Sequence, residues 1–490
     1  MPLGALPGQA DITGPNGPER LLAMKYVSTR GGIEPLEFQD AVMMGLADDG
    51  GLIVPEVIPD VSDRLADWVG LSYPQMAFEV ISLFATDIPA DDLRDLIDRS
   101  YAGTFDSDPE VAPITSVGDK FVMELWHGPT MSFKDVALQL LGNLFEYILA
   151  DRGGKLNIVA ATSGDTGSAA ICGVRGRKGI NIFVMHPSGR VSPIQERQMT
   201  SVLDGNVHNI AIEGSFDDCQ RIMKTLACDL EFKQTYSLGA VNSVNWARVL
   251  AQMVYYFQAA CKLRQITGSD SIRVSVPTGN FGDILAGWYA MKMGAPISQL
   301  VLATNDNDIL SRFFNSGVYS GGQVHHTLAP AMDIQVASNF ERYLYHKVSN
   351  DPDRLRALME QFAQTGSLQI ETEEPGAVDS SIAAGSAGKD DILAAIRRCY
   401  ESNGYVIDPH TACGYSVVES IDAESSVPTL CIATAHPAKF PQAIEEATGR
   451  DLAHHPAIDE LGALPTRCEA VANDPQAVAD FIIKTISSNA

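Results

Sequence analysis

Residues 156–176, LNIVAATSGDTGSAAICGVRG, contain the pattern on which the fold prediction depends. The apolar run at the start is typical of a short buried strand, the glycine- and hydroxyl-rich centre is typical of a turn, and the end is helix-like. The same order of strand, glycine turn and helix returns at 272–294, IRVSVPTGNFGDILAGWYAMKMG. Strands that alternate with helices indicate a parallel, doubly wound α/β fold, and we expect it to be split over two α/β units.

The chain has 490 residues, which suggests two or three domains. We expect a flexible extension at 1–23, a small and mainly helical N-terminal domain at 24–100, a larger α/β unit at 101–135 and 245–490, and a smaller α/β unit at 136–244. The extension has neither the basic start nor the apolar segment of a secretory signal. Residues 362–396 begin as a polar stretch rich in Ser, Gly and Ala, which predicts a solvated insertion.

Composition limits the partners. The formal net charge is -26, from 61 acidic and 35 basic residues, so long-range forces repel nucleic acid and anionic lipid surfaces. No apolar run reaches the roughly 18 residues that a membrane span needs. The eight cysteines contain no CxxC pair and the histidines no HExxH, which favours reduced cysteines, a cytoplasmic location and a site without metal.

A single lysine, Lys134, stands out within residues 127–135, HGPTMSFKD. It follows a rigid Gly-Pro turn and lies between Phe133 and an apolar helix-like stretch. Such surroundings remove water from an ammonium group and lower its pKa, as a Schiff-base lysine requires. The alternative is a lysine whose side chain simply lies along the surface. Asp135 is expected to cap the following helix.

Two glycine loops are candidate anion sites. Residues 277–283, PTGNFGD, and 162–168, TSGDTGS, each follow an apolar strand and open a helix. Backbone N–H groups at such a turn, together with the positive end of the helix, form a cradle for phosphate. The alternatives are a glycine turn that only needs a positive φ and a capped helix start. Neither loop is a Walker loop or GxGxxG, which argues against ATP and dinucleotides.

A third feature is a hydroxyl group at the end of a buried strand. Thr434 follows the apolar run 429–433 in the segment ATAHPAKF, residues 433–440. Hydroxyls at strand ends are common, so this feature alone is weak. A lysine nucleophile, a phosphate cradle and a hydroxyl that can meet a ring nitrogen are together what pyridoxal phosphate requires of a protein.

From Met24 almost to its end, the chain resembles the threonine synthases of the longer bacterial and fungal type, which carry an added N-terminal domain. The resemblance is carried, in family order, by HGPTMSFKD, TSGDTG, NSVNWAR (242–248), PTGNFGD and ATAHPAKF. It implies a fold type II pyridoxal phosphate enzyme, the tryptophan synthase β-like group. The implied reaction converts O-phosphohomoserine and water into threonine and phosphate, the last step of threonine biosynthesis.

The resemblance also implies roles for individual residues. Lys134 forms the Schiff base with the cofactor and then moves protons, and Thr434 hydrogen-bonds the pyridine nitrogen. The cofactor phosphate is surrounded by Gly279, Asn280, Phe281, Gly282 and Asp283. An ionised Asp283 side chain would repel a phosphate dianion, so we expect its backbone N–H or a helix-capping role to matter.

The substrate phosphate needs a second site. The candidates from TSGDTG are Ser163, Asp165, Thr166 and Gly167, and those from elsewhere in the chain are Ser28, Arg30 and Lys439. Surface solvation and helix capping are the alternative roles for these residues.

Three questions stay open at this point. A related phospholyase of the same fold, which yields 2-oxobutyrate, ammonia and phosphate, begins with the same elimination and is the nearest alternative. A non-catalytic binding protein of this fold is a second alternative. The sequence leaves the choice between monomer and homodimer undecided.

Overall fold

The computed structural model describes residues 23–105, 110–162, 164–239, 241–421 and 426–488. Residues 1–22 of the predicted extension and the candidate residue Ser163 lie outside these ranges.

The strands are β1 (Tyr26–Ser28), β2 (Ile53–Pro55), β3 (Ile114–Val117), β4 (Lys120–Glu124), β5 (Leu156–Ala161), β6 (Ile180–Pro187), β7 (Val207–Ile212), β8 (Leu238–Gly239), β9 (Ile272–Pro277), β10 (Ile297–Thr304), β11 (Val318–Ser320), β12 (Ser367–Gln369), β13 (Ile382–Ser386), β14 (Thr429–Ala433) and β15 (Glu469–Val471). The α-helices are α1 (Phe38–Met44), α2 (Tyr73–Ser82), α3 (Ala90–Tyr101), α4 (Lys134–Arg152), α5 (Asp165–Val174), α6 (Pro193–Thr200), α7 (Phe216–Cys228), α8 (Leu230–Thr235), α9 (Trp246–Thr267), α10 (Gly282–Lys292), α11 (Ile309–Ser316), α12 (Phe340–Lys347), α13 (Pro352–Thr365), α14 (Lys389–Asn403), α15 (Pro409–Ile421), α16 (Pro441–Thr448), α17 (Pro456–Asp459) and α18 (Pro475–Ser488). Short 3-10 turns lie at Pro330–Met332, Pro437–Lys439 and Glu460–Ala463.

The N-terminal part combines helices α1 to α3 with the antiparallel pair β1–β2. Helix α2 begins in a capping box, in which the Ser72 backbone N–H donates to the Gln75 side chain at 2.9 Å. Its apolar face, with Met76 and Val80 fully buried, packs against α3 and α9. This packing attaches the N-terminal part to the rest of the chain.

The larger sheet has the strand order β13-β10-β9-β14-β4-β3. All neighbours in it are parallel except β3, which joins β4 antiparallel at the edge. Strand β13 lies inside the stretch 362–396, so the prediction of a solvated insertion is wrong for these residues. The segment is rich in Ala, Gly and Ser, but Ile382 to Ser386 pair with Leu300 to Thr304 of β10, and this pairing outweighs the low strand propensity.

The smaller sheet is parallel throughout, with the order β15-β7-β6-β5-β8. The sequence assigns all of 245–490 to the larger unit, but strand β15 lies in the smaller sheet. It pairs with β7, which would otherwise be an open edge, and Val478 and Ile482 of α18 enter the apolar core beside Ile222. The C-terminal end of the chain therefore completes the smaller unit.

The strand order brings three loops together. Strands β9, β14 and β4 are neighbours, and in a parallel sheet the segments that follow them leave from the same edge, where ligands of such folds bind. The loop after β5 of the smaller sheet reaches the same place with Asp165 and Thr166. Helix α9 is buried on nearly all sides and packs against α4 and α10, the helices that follow two of these loops. Within the described ranges, the structure has no helix that is both long and apolar enough to span a membrane.

Candidate active site

A cavity lies where these loops meet, and it gathers most of the residues predicted from the sequence. The predicted residues that line it are Lys134, Asp165, Thr166, Gly279, Asn280, Phe281, Gly282, Asp283 and Thr434. They come from four separate strand-to-helix segments, so the cavity exists only in the folded chain.

Lys134 is fixed by the turn that precedes it. The backbone passes through a left-handed conformation at Met131, with φ of 59°, whose N–H donates to the Gly128 carbonyl at 3.0 Å. The Phe133 N–H then donates to the carbonyl of Thr434 at 2.8 Å, and α4 begins at Lys134 itself. This hydrogen bond joins the residue that precedes Lys134 to the loop that carries Thr434.

The buried Asp135 carboxylate stabilises this turn through hydrogen bonds. Its two carboxylate oxygens accept hydrogen bonds from the backbone N–H and the hydroxyl of Thr130, at 2.8 and 2.7 Å. Burial raises the pKa of Asp135 to about 6, against the lowering effect of these bonds. A side chain at Gly128 would place its Cβ 2.5 Å from the Cβ of Asp135, which explains the glycine. Asp135 thus caps the preceding turn and has no place in the cavity lining.

The amine of Lys134 is buried beside one carboxylate. Its Nζ lies 3.5 Å from Oδ2 of Asp165 and 4.7 Å from the centre of the Phe133 ring. Burial lowers the pKa of Lys134, the Asp165 charge opposes this, and the positive charges of Lys439 and Arg248 add to the lowering. A lowered pKa makes the free amine, which is the nucleophilic form, more accessible near neutral pH.

Asp165 is shared between two lysines. Its Oδ1 lies 2.7 Å from Nζ of Lys439 and accepts a hydrogen bond from Gln195 at 2.7 Å. Burial raises its pKa, but the ammonium groups of Lys439 and Lys134 outweigh burial and hold the pKa well below its usual range. Asp165 is therefore a permanent negative charge next to Lys134.

The glycine loop after β9 has the geometry of an anion cradle. Phe281 takes a left-handed conformation, φ 64°, and its ring is buried in a stack on Phe314. Helix α10 starts at the next residue, so the first N–H groups of the helix, which have no partner within it, lie at the cavity. At Gly279 a side chain would meet the Ala331 carbonyl oxygen at 2.6 Å, so this position admits only glycine without a shift.

The side chain of Asp283 differs from expectation. Its Oδ1 accepts hydrogen bonds from the hydroxyls of Tyr255 and Tyr256, at 2.5 and 2.8 Å, instead of capping the helix. Its Oδ2 is buried without a hydrogen-bond partner among the described residues. Burial raises the pKa of Asp283 to about 6, and the two tyrosines and Lys134 lower it. The carboxyl group is thus held by α9.

Four predicted residues lie outside the cavity lining. Lys439 is enclosed, since its Nζ bonds Asp165 and the carbonyl of Thr130, the latter at 2.8 Å, and its side chain has no exposed surface. Gly167 packs against Thr162, to whose hydroxyl its N–H donates at 2.9 Å. The prediction that these two residues contact a substrate phosphate is therefore not supported by their positions.

Ser28 and Arg30 are likewise engaged elsewhere. The Arg30 guanidinium forms a two-point ion pair with Glu341, at 3.1 and 2.9 Å. The Ser28 hydroxyl donates to Asp49 at 2.8 Å. Neither residue lines the cavity, and their part in substrate binding stays a prediction. The Arg30 ion pair joins the N-terminal part to α12.

The structure adds residues that the sequence reasoning missed. They include Ser243, Arg248, Gln252, Asn339 and His410. The NSVNWAR motif contained Ser243 and Arg248, but no spacing rule indicated that they face the cavity. His410 Nε2 accepts the backbone N–H of Ala331 at 3.2 Å, which places the ring proton on Nδ1, toward Asp408 at 2.8 Å. Nowhere in the described ranges do three or more His, Cys, Asp or Glu residues form a group suited to a metal ion.

Comparison with known protein families first defines the class of enzyme. The family model described as "Pyridoxal-phosphate dependent enzyme" matches residues 115–378. Together with the two parallel-type sheets and the buried lysine at their junction, this match defines the chain as a pyridoxal-phosphate-dependent enzyme of fold type II. The models "Threonine synthase N terminus" and "Threonine synthase, C-terminal" match residues 25–101 and 411–482.

Sequence and structural neighbours are more specific. The chain is 44% identical to the threonine synthase of Pseudomonas aeruginosa, over 94% of this chain and 98% of that one, and 44% identical to that of Schizosaccharomyces pombe, over 86% and 89%. A crystal structure of PLP-bound threonine synthase from Brucella melitensis superimposes with a TM-score of 0.90 at 43% identity, covering 94% of this chain and 99% of that one. The chain belongs to the threonine synthase family.

Proposed function

We propose that this chain converts O-phospho-L-homoserine and water into L-threonine and phosphate, with pyridoxal phosphate bound through Lys134. The observation that carries the proposal is the position of the Lys134 amine. It is buried, its pKa is lowered, and it shares one cavity with a glycine loop at a helix N-terminus and with Thr434. When bound, the cofactor supplies an electron sink for negative charge that develops on the substrate carbons.

The cavity residues fit this cofactor. The N–H groups at the start of α10, from the loop Gly279–Gly282, are free to bind its phosphate, and the Arg248 Nη1 is a buried donor without a partner among the described residues. Thr434 would hydrogen-bond the ring nitrogen, and a hydroxyl partner leaves that nitrogen largely unprotonated. The Asp283 carboxyl accepts hydrogen bonds from two tyrosine hydroxyls, which partly offset the negative charge that it would direct at a phosphate dianion.

Lys134 is the proposed acid and base. Once its amine is released by the substrate, Nζ removes a proton from Cα and, after passing it on, one from Cβ, and phosphate leaves Cγ and takes up a proton. A proton then returns to Cγ, water adds at Cβ and gives up its own proton, and a proton finally returns to Cα. Asp165, 3.5 Å away, stabilises the ammonium form between transfers. One amine serves several steps because it is held beside the reacting carbons by the turn that precedes α4.

The anionic groups of the substrate are proposed to lie at the start of α5. Thr166 lines the cavity there, and the α5 N-terminus favours negative charge. The Asp165 carboxylate would repel an anion, so we do not propose that it binds the substrate phosphate directly. Its role is to stabilise the positive charge of Lys134. Ser163 is kept as a candidate of the same loop.

The proposal also covers the cellular location and the partners of the enzyme. We propose a cytoplasmic location, supported by eight cysteines that are all free. The substrate is a small molecule and, at a net charge of -26, nucleic acid is not a partner. Whether the chain acts as a monomer or a homodimer is to be measured by light scattering.

Product analysis tests the reaction. Purified protein loaded with pyridoxal phosphate is incubated with O-phosphohomoserine, and amino acids and keto acids are separated on a chiral phase. Threonine and phosphate in equal amounts are expected. Formation of 2-oxobutyrate and ammonia would assign the phospholyase reaction instead, and the absence of both products would overturn the proposal.

The role of Lys134 is tested separately. Borohydride reduction of the loaded protein followed by peptide mass analysis is expected to find one pyridoxyl group on Lys134. Lys134→Ala is expected to lose this modification and threonine formation together. A modification on another lysine, or normal turnover by the variant, would remove Lys134 from this role.

A further inference from the structure

A short turn forms one wall of the cavity beside the glycine loop. It is the 3-10 turn Pro330–Met332, of which Ala331 and Met332 line the cavity. A side chain at Gly279 would place its Cβ 2.6 Å from the Ala331 carbonyl oxygen and 3.3 Å from the Cα of Met332. The backbone of the turn therefore lies directly against the loop that follows β9, and the position of Ala331 limits the shape that this loop can take.

The flanks and the centre of this turn are held by different side chains. Asn305, directly after β10, donates to the Ala329 carbonyl at 3.3 Å and to the Asp333 carboxylate at 2.7 Å. These two bonds fasten the residues on either side of the turn. At its centre, the Ala331 N–H donates to Nε2 of His410 at 3.2 Å. His410 thus holds the residue whose carbonyl contacts the glycine loop.

The residues before His410 fix its ring in one form. Asp408 directly precedes α15, and its carboxylate accepts the backbone N–H groups of His410 and Thr411 at 2.9 and 3.3 Å, as an N-cap residue does. The same carboxylate accepts a hydrogen bond from Nδ1 of the His410 ring at 2.8 Å. A neutral ring with its proton on Nδ1 keeps a lone pair on Nε2, which the Ala331 N–H requires. One carboxylate therefore caps the helix and sets the tautomer.

Helix α15 is fastened to the strands that carry the site. The Ser275 hydroxyl of β9 donates to the Gly414 carbonyl at 2.7 Å. The Cys413 thiol donates to the carbonyl of Thr304, the last residue of β10, at 2.9 Å. Strand β9 runs directly into the glycine loop, and β10 runs directly into Asn305. The histidine, the turn and the loop are therefore all fixed relative to the same two strands.

Both ring nitrogens of His410 are engaged within the protein. Nδ1 carries the proton that is donated to Asp408, and the lone pair of Nε2 faces the Ala331 N–H. The side chain is 4% exposed and packs edge-on against the Phe440 ring, at 5.0 Å between ring centres. These contacts favour a role in positioning over proton transfer at the reacting carbons.

We propose that His410 is a positioning residue, which holds the Ala331 turn against the glycine loop and so keeps this loop in the shape that binds the cofactor phosphate. The inference rests on the proposed function in one respect, that the glycine loop is where the phosphate of pyridoxal phosphate binds. His410 acts through Ala331, and Asp408 acts through His410.

Three substitutions at His410 separate its two hydrogen bonds. In His410→Gln the side-chain carbonyl can take the place of Nε2 and accept the Ala331 N–H. In His410→Asn the shorter side chain reaches Asp408 but not Ala331. His410→Leu keeps much of the volume and neither hydrogen bond. The apoprotein of each variant is titrated with pyridoxal phosphate and with pyridoxal, which lacks the phosphate.

The affinity for pyridoxal phosphate is expected to follow the bond to Ala331. His410→Asn and His410→Leu should lose about three- to tenfold, the effect of one neutral hydrogen bond, and His410→Gln should stay within about twofold of the wild type. Affinity for pyridoxal should change by less than about twofold in all three variants. Wild-type affinity of His410→Asn for pyridoxal phosphate would overturn the proposal. Equal losses in His410→Gln and His410→Asn, or for the two ligands, would also overturn it.

A double variant tests whether the effect passes through Ala331. Gly279→Ala displaces the turn, so His410→Asn should cost less affinity in that background than in the wild type. Losses that simply add would contradict the proposed route. Because His410→Asn keeps the bond to Asp408, the comparison remains usable if His410→Leu does not fold.

His346→Asn is the matched control. Both ring nitrogens of His346 are hydrogen-bonded, to Tyr289 and Asn350, but this histidine does not line the cavity. The control should bind both ligands as the wild type does. The readout is binding, so the two proposals can fail separately. Loss of affinity in His410→Asn without any threonine formation by the wild type refutes only the proposed function, and normal threonine formation with equal affinities of His410→Asn and His410→Gln refutes only this inference.

Discussion

Lys439 and Asp165 form a buried ion pair in which Nζ lies 2.7 Å from Oδ1, with side-chain exposures of 0% and 5%. The other oxygen of the same carboxylate lies 3.5 Å from Lys134. One negative charge thus stabilises two ammonium groups, and loss of the carboxylate leaves two like charges close together in a site with little water. The pair is therefore part of the environment that sets the state of Lys134.

Breaking this pair is expected to destabilise the apoprotein. Asp165→Asn should lower the free energy of unfolding by about 3–5 kcal/mol, because Lys439 is left buried and unpaired. The double variant Asp165→Asn with Lys439→Met should lose less than the sum of the single losses. Urea unfolding measures all four proteins. Strictly additive losses would show that the two side chains do not depend on each other.

Asp283 is expected to give the apoprotein a pH-dependent stability. Burial raises its pKa from 3.8 to about 6, so between these values the folded protein keeps a proton that the unfolded chain has lost. Stability then falls as pH rises through this window, by about 3 kcal/mol at most for a shift of this size. Asp283→Asn keeps an oxygen for both tyrosines and cannot titrate.

The difference between the two proteins is the measurement. The unfolding free energy of Asp283→Asn relative to wild type should increase between about pH 4 and pH 6 and stay constant above pH 7. Asp135, whose pKa is also raised to about 6, titrates in both proteins and cancels. A difference that does not change with pH would mean that Asp283 has an ordinary pKa.

Gly279 is expected to be essential for the shape of the phosphate cradle. In Gly279→Ala the new Cβ would lie 2.6 Å from the Ala331 carbonyl oxygen, and since both are backbone-fixed the loop must move. Affinity for pyridoxal phosphate should fall by about tenfold or more, with a smaller loss for pyridoxal. Gly205→Ala, where the added Cβ meets nothing within 4 Å, is the control. Equal loss for both ligands would indicate a general distortion of the site.

The parts of this site that sequence could predict are local. A strand, a glycine turn and a helix start lie within a few residues, so the loops at 162–168 and 277–283 and the setting of Lys134 were visible. Strand β13 was missed because its residues, IAAGS, have low strand propensity and depend on pairing with β10. The sequence does not show that β15 pairs with β7 of the smaller sheet, because only the folded chain brings residues 469–471 next to that edge.

Contacts between side chains that are distant in sequence could not be predicted from the sequence either. Lys439 was expected to meet the substrate, yet its charge is satisfied by Asp165. Arg248 carries no spacing signal in the sequence, and its place in the cavity lining follows only from the fold. Residue type indicates what chemistry is available, and the tertiary contacts decide which group remains free for a ligand.

Arg30 is expected to act in stability and not in substrate binding. Arg30→Met removes the ion pair with Glu341, whose side chains are 30% and 8% exposed, and should cost about 1 kcal/mol of unfolding free energy. The KM for O-phosphohomoserine should stay within about twofold of the wild-type value. Urea unfolding and steady-state kinetics give the two numbers. A tenfold increase in KM without loss of stability would return Arg30 to the substrate site.

Thr434 is expected to act through its hydroxyl alone. Its carbonyl oxygen, which accepts the Phe133 N–H at 2.8 Å, belongs to the backbone, so Thr434→Val leaves the attachment of the Lys134 turn in place. The change is nearly isosteric at a residue that is 6% exposed, and the unfolding free energy of the apoprotein should change by less than about 1 kcal/mol. Affinity for pyridoxal phosphate should fall by about five- to tenfold, the value of one lost hydrogen bond. Thr434→Ser should retain most of it, because the hydroxyl remains. If Thr434→Val binds pyridoxal phosphate as tightly as the wild type does, the Thr434 hydroxyl is not the hydrogen-bond partner of the ring nitrogen.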